Sequence, residues 1–405
     1  MTVTASALDY LLSPQAVRDR TQQLFDRCCR EQLAHFRYDP SQLDRVADYV
    51  IATMQEQYPN GNVPFHSRWR HFDVGGVPRQ QQLDEALSSA RVAAKAKVDL
   101  AVVSVLLDAG AGPDWRYSEA ASGQTFARSE GLAVASYQMF CQGAFSGTPQ
   151  QPHQVDAPGL QHLSEAQLQA GLQISPTNPL VGISGRLKLL QQLGQALAAQ
   201  PERFGYPARP GNLIDYFQHH YGSHLKAAAL LTEVLKSFGS IWPGRLETDG
   251  VNLGDVWTHS ALAGEPYAEF VPFHKLSQWL TYSLVEPLTE AGLTIGELDG
   301  LTGLAEYRNG GLCVDLGLLQ PKHAEILGQA HLPSSEVIVE WRALTLVCLD
   351  LIAERMRQKL NVSSTELPLM KVLEGGTWSA GRRIARELRP GGPPPILLDS
   401  DGTVF

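Results

Sequence analysis

A chain of 405 residues with 43% apolar and 19% charged side chains has ample material for a large core, and this composition excludes a disordered or fibrous protein. The formal net charge of −9 is interrupted by no basic stripe, the densest cationic run being Arg382, Arg383, Arg386 and Arg389, so no nucleic-acid partner is expected. Met1 to Leu12 do not read as a signal peptide, no apolar run is long enough to span a membrane, and Cys28, Cys29, Cys141, Cys313 and Cys348 lack CxxC or CxxH spacing, so a cytoplasmic protein with reduced thiols is expected.

In chain order, the first 60 or so residues predict two helices, opened by Ser13-Pro14 and by Pro40-Ser41, with a break at Tyr58-Pro59-Asn60-Gly61. Arg68-Trp69-Arg70-His71-Phe72 is an aromatic and basic cluster closed by Gly75-Gly76, either a loop with functional side chains or a packed core loop. Val92 to Leu107 is apolar nearly all round and reads equally as a buried helix or a central strand. The Gly110-Ala111-Gly112 fragment that follows has no third glycine and no acidic partner at the spacing of a dinucleotide fingerprint. Further helices are predicted over Arg128 to Phe145 and at about 181 to 199, 212 to 221 and 223 to 238. Short strand-like pieces are read at Leu312 to Leu316 and Ile396 to Leu398. No linker composition and no internal repeat divides the chain, so the expectation is a single mainly α domain, or two tightly packed lobes.

The standard catalytic signatures are missing: there is no GxSxG, no HExxH and no phosphate-binding Gly-rich loop. His219, His220 and His224 include an i, i+4 pair, but without a neighbouring carboxylate or Cys they read as surface histidines. Pro272 to Leu284 is more informative. With Pro272 in the first turn, Lys275, Gln278 and Tyr282 share a polar face beside Trp279, while Phe273, Leu276, Leu280 and Leu284 form the apolar stripe. His274 belongs to the same string. Glu306-Tyr307-Arg308 then places an acid, a phenol and a guanidinium on a Gly-rich turn, as either a site or a structural ion pair. Glu340, on a helix from about Glu336 to Lys359, falls inside an apolar sector with Arg342 on its flank, and a carboxylate there must find a partner or a raised pKa. Asp108 ends the buried 92 to 107 segment, where a helix macrodipole would oppose an acid.

The strings Asp99 to Arg116, Arg128 to Ser136, Val271 to Leu288, Leu301 to Leu316, Gly375 to Arg383 and Ser400 to Phe405 together resemble the uracil catabolism protein four family, a domain of unknown function, over essentially the whole chain. That resemblance implies a place in pyrimidine breakdown, in which a ribosylurea phosphate must be cleaved to urea and sugar phosphate. The lysine and glutamine of the 272 to 284 helix, the Ala305-Glu306-Tyr307-Arg308 turn and the later Glu340-x-Arg342 are also similar to the queuosine-nucleotide N-glycohydrolases, which implies a helical DNA-glycosylase-like core and cleavage of an N-glycosidic bond. Glu306 stands where that family has Asp, one methylene longer.

The expected function is therefore hydrolysis of an N-ribosyl bond in a phosphorylated, nucleotide-like small molecule, with no metal or organic cofactor implied. Glu306 is expected to stabilise an oxocarbenium-like transition state, with Glu340 as the second carboxylate. Lys275 is first choice for the phosphate, ahead of Arg308 and Arg342. Gln278, His274 and Asp108 are expected to bind polar groups, and Trp115, Trp279 and Tyr282 to pack on the urea or sugar. The rival readings are a non-catalytic binding or scaffold protein of the pathway, and an amidohydrolase acting on urea. The oligomeric state is left open.

Overall fold

The structure, a computed structural model, describes residues 5–108, 110–242, 246–248, 250–264 and 267–399. Ala109 of the Asp108 to Arg116 string and the terminal Ser400 to Phe405 string lie outside them. The protein is mainly α, and its described strands are two or three residues long and pair into two-stranded ribbons. Among the described residues no helix is long and apolar enough to cross a membrane.

The chain divides into two compact units. The described residues of the first fall within 5–66, 246–278 and 297–399, and those of the second within 67–242 and 279–296. The helix Lys275–Glu290 supplies Lys275 to Gln278 to the first unit and the rest of its length to the second.

The spine of the first unit is the helix Glu336–Leu360, which packs against Pro14–Cys29 and Leu43–Gln57. Ser13 caps the second of these helices as its sequence predicts, its Oγ accepting from Ala16 N at 3.2 Å. The antiparallel ribbon Val256–Thr258 with Phe270–Pro272 leads into the helix Lys275–Glu290. Pro272 therefore ends a strand and does not open the helix. The reason lies in the two residues that follow: Phe273 N donates to the Asp255 carbonyl at 2.9 Å, and His274 turns into the left-handed region at φ 48° before the helix begins.

A second correction concerns Leu312 to Leu316, expected as strand. The helix Tyr307–Asp315 covers most of it, because the Glu306 side chain caps that helix and overrides a five-residue alternation. Close approach fixes the helix in place. A Cβ on Gly310 would lie 2.7 Å from the Trp341 ring, and one on Gly381 would lie 2.2 Å from the Arg308 carbonyl oxygen. Ile396 to Leu398 does hold a strand, Leu397–Leu398, parallel to Ala330–His331.

In the second unit the ambiguous 92 to 107 segment is the helix Ala90–Leu107, N-capped by Ser89 and buried without a break from Lys97 to Leu107. Burial on every side erases the 3.6-residue signal, so only length and cap separate it from a strand. Two charges survive within it because each is matched. Lys97 Nζ donates to Asp84 at 2.8 Å and Glu290 at 2.7 Å, while Asp99 accepts from Gly211 N at 2.6 Å, Val155 N at 3.1 Å and Arg209 Nε at 2.9 Å. The remaining predicted helices are Arg128–Cys141, Ile183–Ala199, Leu213–Tyr221 and Ala227–Phe238. His224 lies beyond the end of Leu213–Tyr221, in the strand His224–Lys226, so His220 and His224 are no helical i, i+4 pair; both are exposed, as is His219.

Candidate functional site

Glu306 is the N-cap of the helix Tyr307–Asp315 and is 9% exposed. Its Oε2 accepts from Arg308 N at 2.8 Å and its Oε1 from Asn309 N at 2.6 Å, so both carboxylate oxygens meet the positive end of a helix. Burial pushes its carboxyl pKa up, while the two backbone N–H groups and the charges of Lys275 and Arg308 oppose that rise. The result is a fixed carboxylate in a dry setting with cationic neighbours, the arrangement that can stabilise a transient positive charge.

Around it the predicted cations play unequal parts. Arg308 donates from Nη1 to the Gly392 carbonyl at 2.8 Å and stacks 4.9 Å from the centre of the Tyr307 ring. Arg342 makes a two-pronged pair with Asp255, Nη1 to Oδ1 at 2.8 Å and Nη2 to Oδ2 at 2.7 Å, and lies 4.0 Å from the Phe273 ring centre. Its Nε reaches the Ala305 carbonyl at 3.3 Å, which ties it to the chain just before Glu306. Lys275 is half-buried, whereas both arginines are buried.

Asp255 is the residue that sequence reasoning missed. Besides Arg342, its carboxylate accepts from Trp257 Nε1 at 2.7 Å and from Lys275 N at 3.0 Å, so it sets the start of the lysine's helix. Arg342 and these donors hold its pKa well below the ordinary carboxylate range against the cost of burial. A lone acid in Gly254-Asp255-Val256-Trp257 carries no periodic signal, and its ion-pair partner Arg342 is remote in sequence.

The other predicted residues of this unit are engaged inward. Gln278 is fully buried and clasps Thr302 at both ends of its amide, donating to Oγ1 and accepting from Thr302 N at 3.1 Å. His274 is 2% exposed and its Nε2 donates to the Leu11 carbonyl at 2.8 Å. Glu340 is fully buried, and its Oε1 accepts from His35 N at 3.1 Å and Phe36 N at 2.7 Å, so it organises backbone before the strand Phe36–Tyr38. Its Oε2 lies 3.6 Å from His259 Nε2, beyond hydrogen-bond reach.

Asp108, Trp115, Trp279 and Tyr282 belong to the second unit. Trp115 and Tyr282 are fully buried, and Trp115 spends its N–H on the Leu172 carbonyl at 2.9 Å. Asp108 closes the helix Ala90–Leu107 and accepts from Arg68 Nη1 at 2.9 Å, a counter-charge that offsets the unfavourable helix end. Arg68 was legible as part of the aromatic and basic cluster, and its burial with Trp69 and Phe72 agrees with the packed-core alternative for that cluster.

A family model described as a protein of unknown function, DUF1688, matches residues 10–405. Protein urg3 of Schizosaccharomyces pombe is 40% identical over 409 aligned positions, covering 98% of this chain and 98% of its own. Uracil catabolism protein 4 of Lachancea kluyveri is 39% identical over 436 positions, covering 98% of this chain and 99% of its own. Matched along nearly its whole length, this chain belongs to the DUF1688 family.

Proposed function

We propose that this protein is a hydrolase of uracil catabolism that cleaves an N-ribosyl bond in a nucleotide-like small molecule, with ribosylurea 5-phosphate giving urea and ribose 5-phosphate as the favoured reaction. The name of the Lachancea kluyveri relative supports the pathway. The observation that carries the chemistry is the buried Glu306 carboxylate, held by two backbone N–H groups and acted on by Lys275 and Arg308.

In this reaction the bond between the anomeric carbon and the urea nitrogen breaks with its electron pair going to nitrogen. Water then gives its hydroxyl to the anomeric carbon and a proton to the leaving nitrogen. Positive charge builds at the sugar only in the transition state, so a preorganised anion lowers the barrier without tightening substrate binding. Glu306 takes that role. Lys275, half-buried where Arg308 and Arg342 are buried, takes the phosphate.

The test uses one variant and three readings. Glu306→Gln keeps the size of the side chain but only one of its two acceptor oxygens, so the thermal midpoint is expected to fall modestly with the lost capping bond and ligand Kd to stay near that of the parent, while turnover falls ~10² or more. Parent-like turnover in a folded variant would remove Glu306 from the chemistry.

A further inference from the structure

We propose that Arg68 and Asp108 form a binding site for a neutral amide or ureide edge, a carbonyl beside an N–H, on a small molecule. The inference concerns the second unit and stands whether or not Glu306 is catalytic.

Arg68 is fully buried. Its Nε donates to Ser104 Oγ at 2.8 Å, and its Nη1 reaches Asp108 Oδ2 at 2.9 Å, the Ser129 carbonyl at 3.1 Å and His71 Nδ1 at 3.2 Å. Nη2 is buried and has no partner. The Asp108 side chain is 9% exposed, and its Oδ1 is likewise buried and unpartnered. An unmet buried hydrogen-bonding group costs about 1–3 kcal/mol, more when charged, and here two occur on side chains already bonded to each other. One donor nitrogen, carrying two N–H bonds, and one acceptor oxygen, branching from a single ion pair, are left for an occupant.

Charge selects the class of that occupant. Arg68 and Asp108 cancel, and the further charges acting on them, Arg186 on Asp108 and Glu130 on Arg68, also cancel. A charged ligand would therefore be buried uncompensated, whereas a neutral group with one acceptor and one donor meets both free atoms. Because a guanidinium only donates, His71 Nδ1 must accept, which fixes that ring as the neutral tautomer with its proton on Nε2. The Trp279 ring lies 6.1 Å from the His71 ring, tilted 47° to it.

The experiment titrates the full chain with ethylene urea and with its N,N′-dimethyl derivative, which keeps the carbonyl and lacks N–H, by ligand-observed NMR. Ethylene urea is expected to bind about tenfold or more tightly than the dimethyl compound, the worth of one hydrogen bond to a charged group. Asp108→Asn puts a donor where the acceptor stood and leaves Arg68 uncompensated. It should lose ethylene urea by a similar factor and gain acetate, which offers two acceptors and a negative charge. Glu306→Gln should keep ethylene urea affinity, so failure here is separable from failure of the hydrolase reading. Equal binding of the two ureas, unchanged ethylene urea affinity in a folded Asp108→Asn, or no binding of either urea, as when water alone fills the site, would overturn the proposal. If Asp108→Asn does not fold, the comparison of the two ureas on the unaltered chain decides.

Discussion

Glu306, Lys275 and Asp255 show how differently three charged side chains can serve one neighbourhood. Burial raises the Glu306 pKa, so in the hydrolase reading activity should climb with pH through an ionisation above the usual ~4.3 of a glutamate, since only the ionised form stabilises an oxocarbenium ion. A pH–rate profile of the parent checks this, and a parent whose rate is flat across the acid range would contradict it. For Lys275→Met, binding of a phosphorylated ligand should weaken by ~1.5–3 kcal/mol while its dephosphorylated form binds as before, measured by calorimetry on both ligands. Equal losses would remove the phosphate subsite. Asp255 does structural work: Asp255→Ala leaves the buried Arg342 guanidinium unpaired, and a loss of about 3–5 kcal/mol in denaturant unfolding is expected. The chemistry-bearing residue types were legible because Glu306-Tyr307-Arg308 is contiguous. Asp255 was not, because its partner Arg342 lies 87 positions away.

At the scale of elements, legibility follows solvent contrast. Helices with a wet side, such as Pro14–Cys29 and Leu43–Gln57, show their period in sequence, and the first shows its start signal too, whereas Pro40-Ser41 opens a 3-10 turn, Pro40–Gln42, that leads into the second. Ala90–Leu107 has no wet side over most of its length and reads as helix or strand alike. Tyr307–Asp315 was misread in part because its defining feature is a side-chain cap by Glu, outside the usual Ser, Thr, Asp and Asn preference. Tertiary pairs join the short elements. In the second unit, Glu119 on the strand Tyr117–Glu119 accepts from Arg79 Nε at 2.8 Å and Nη2 at 2.5 Å, from Gln138 at 2.8 Å and from Ser122 at 2.5 Å, and these partners lower its pKa to about 2. A depressed carboxylate pKa stabilises the fold above the unfolded value and loses that contribution as pH falls toward the folded one. Glu119→Gln should therefore cost about 3 kcal/mol at pH ~7, with the gap to the parent narrowing as pH falls from ~4 toward ~2 in urea titrations. A gap independent of pH would mean that the ion pair contributes nothing.

For the molecule as a whole, the mainly α character was legible from periodicity, because helical periods recur along the length while strand alternation never exceeds a few residues. Two tightly packed lobes stood beside a single domain as an expectation, but the bounds of the two units were not legible. Each is assembled from separated stretches of chain, so no linker composition marks a boundary, and the helix Lys275–Glu290 is itself divided between the units. Membership of the DUF1688 family and identities near 40% over almost the full length place this chain among relatives of which one is named for uracil catabolism. The hydrolase proposal adds a bond and a residue to that name, and its rivals differ in what they release: an N-ribohydrolase frees intact urea, an amidohydrolase frees ammonia, and a carrier frees nothing. The most direct measurement is to incubate the purified chain with ribosylurea 5-phosphate and quantify urea, ribose 5-phosphate and ammonia by mass spectrometry and enzymatic assay, beside Glu306→Gln. The account predicts urea and ribose 5-phosphate in equal amounts from the parent and ~10²-fold slower release from the variant. Ammonia without sugar phosphate, or no product at all, would contradict it.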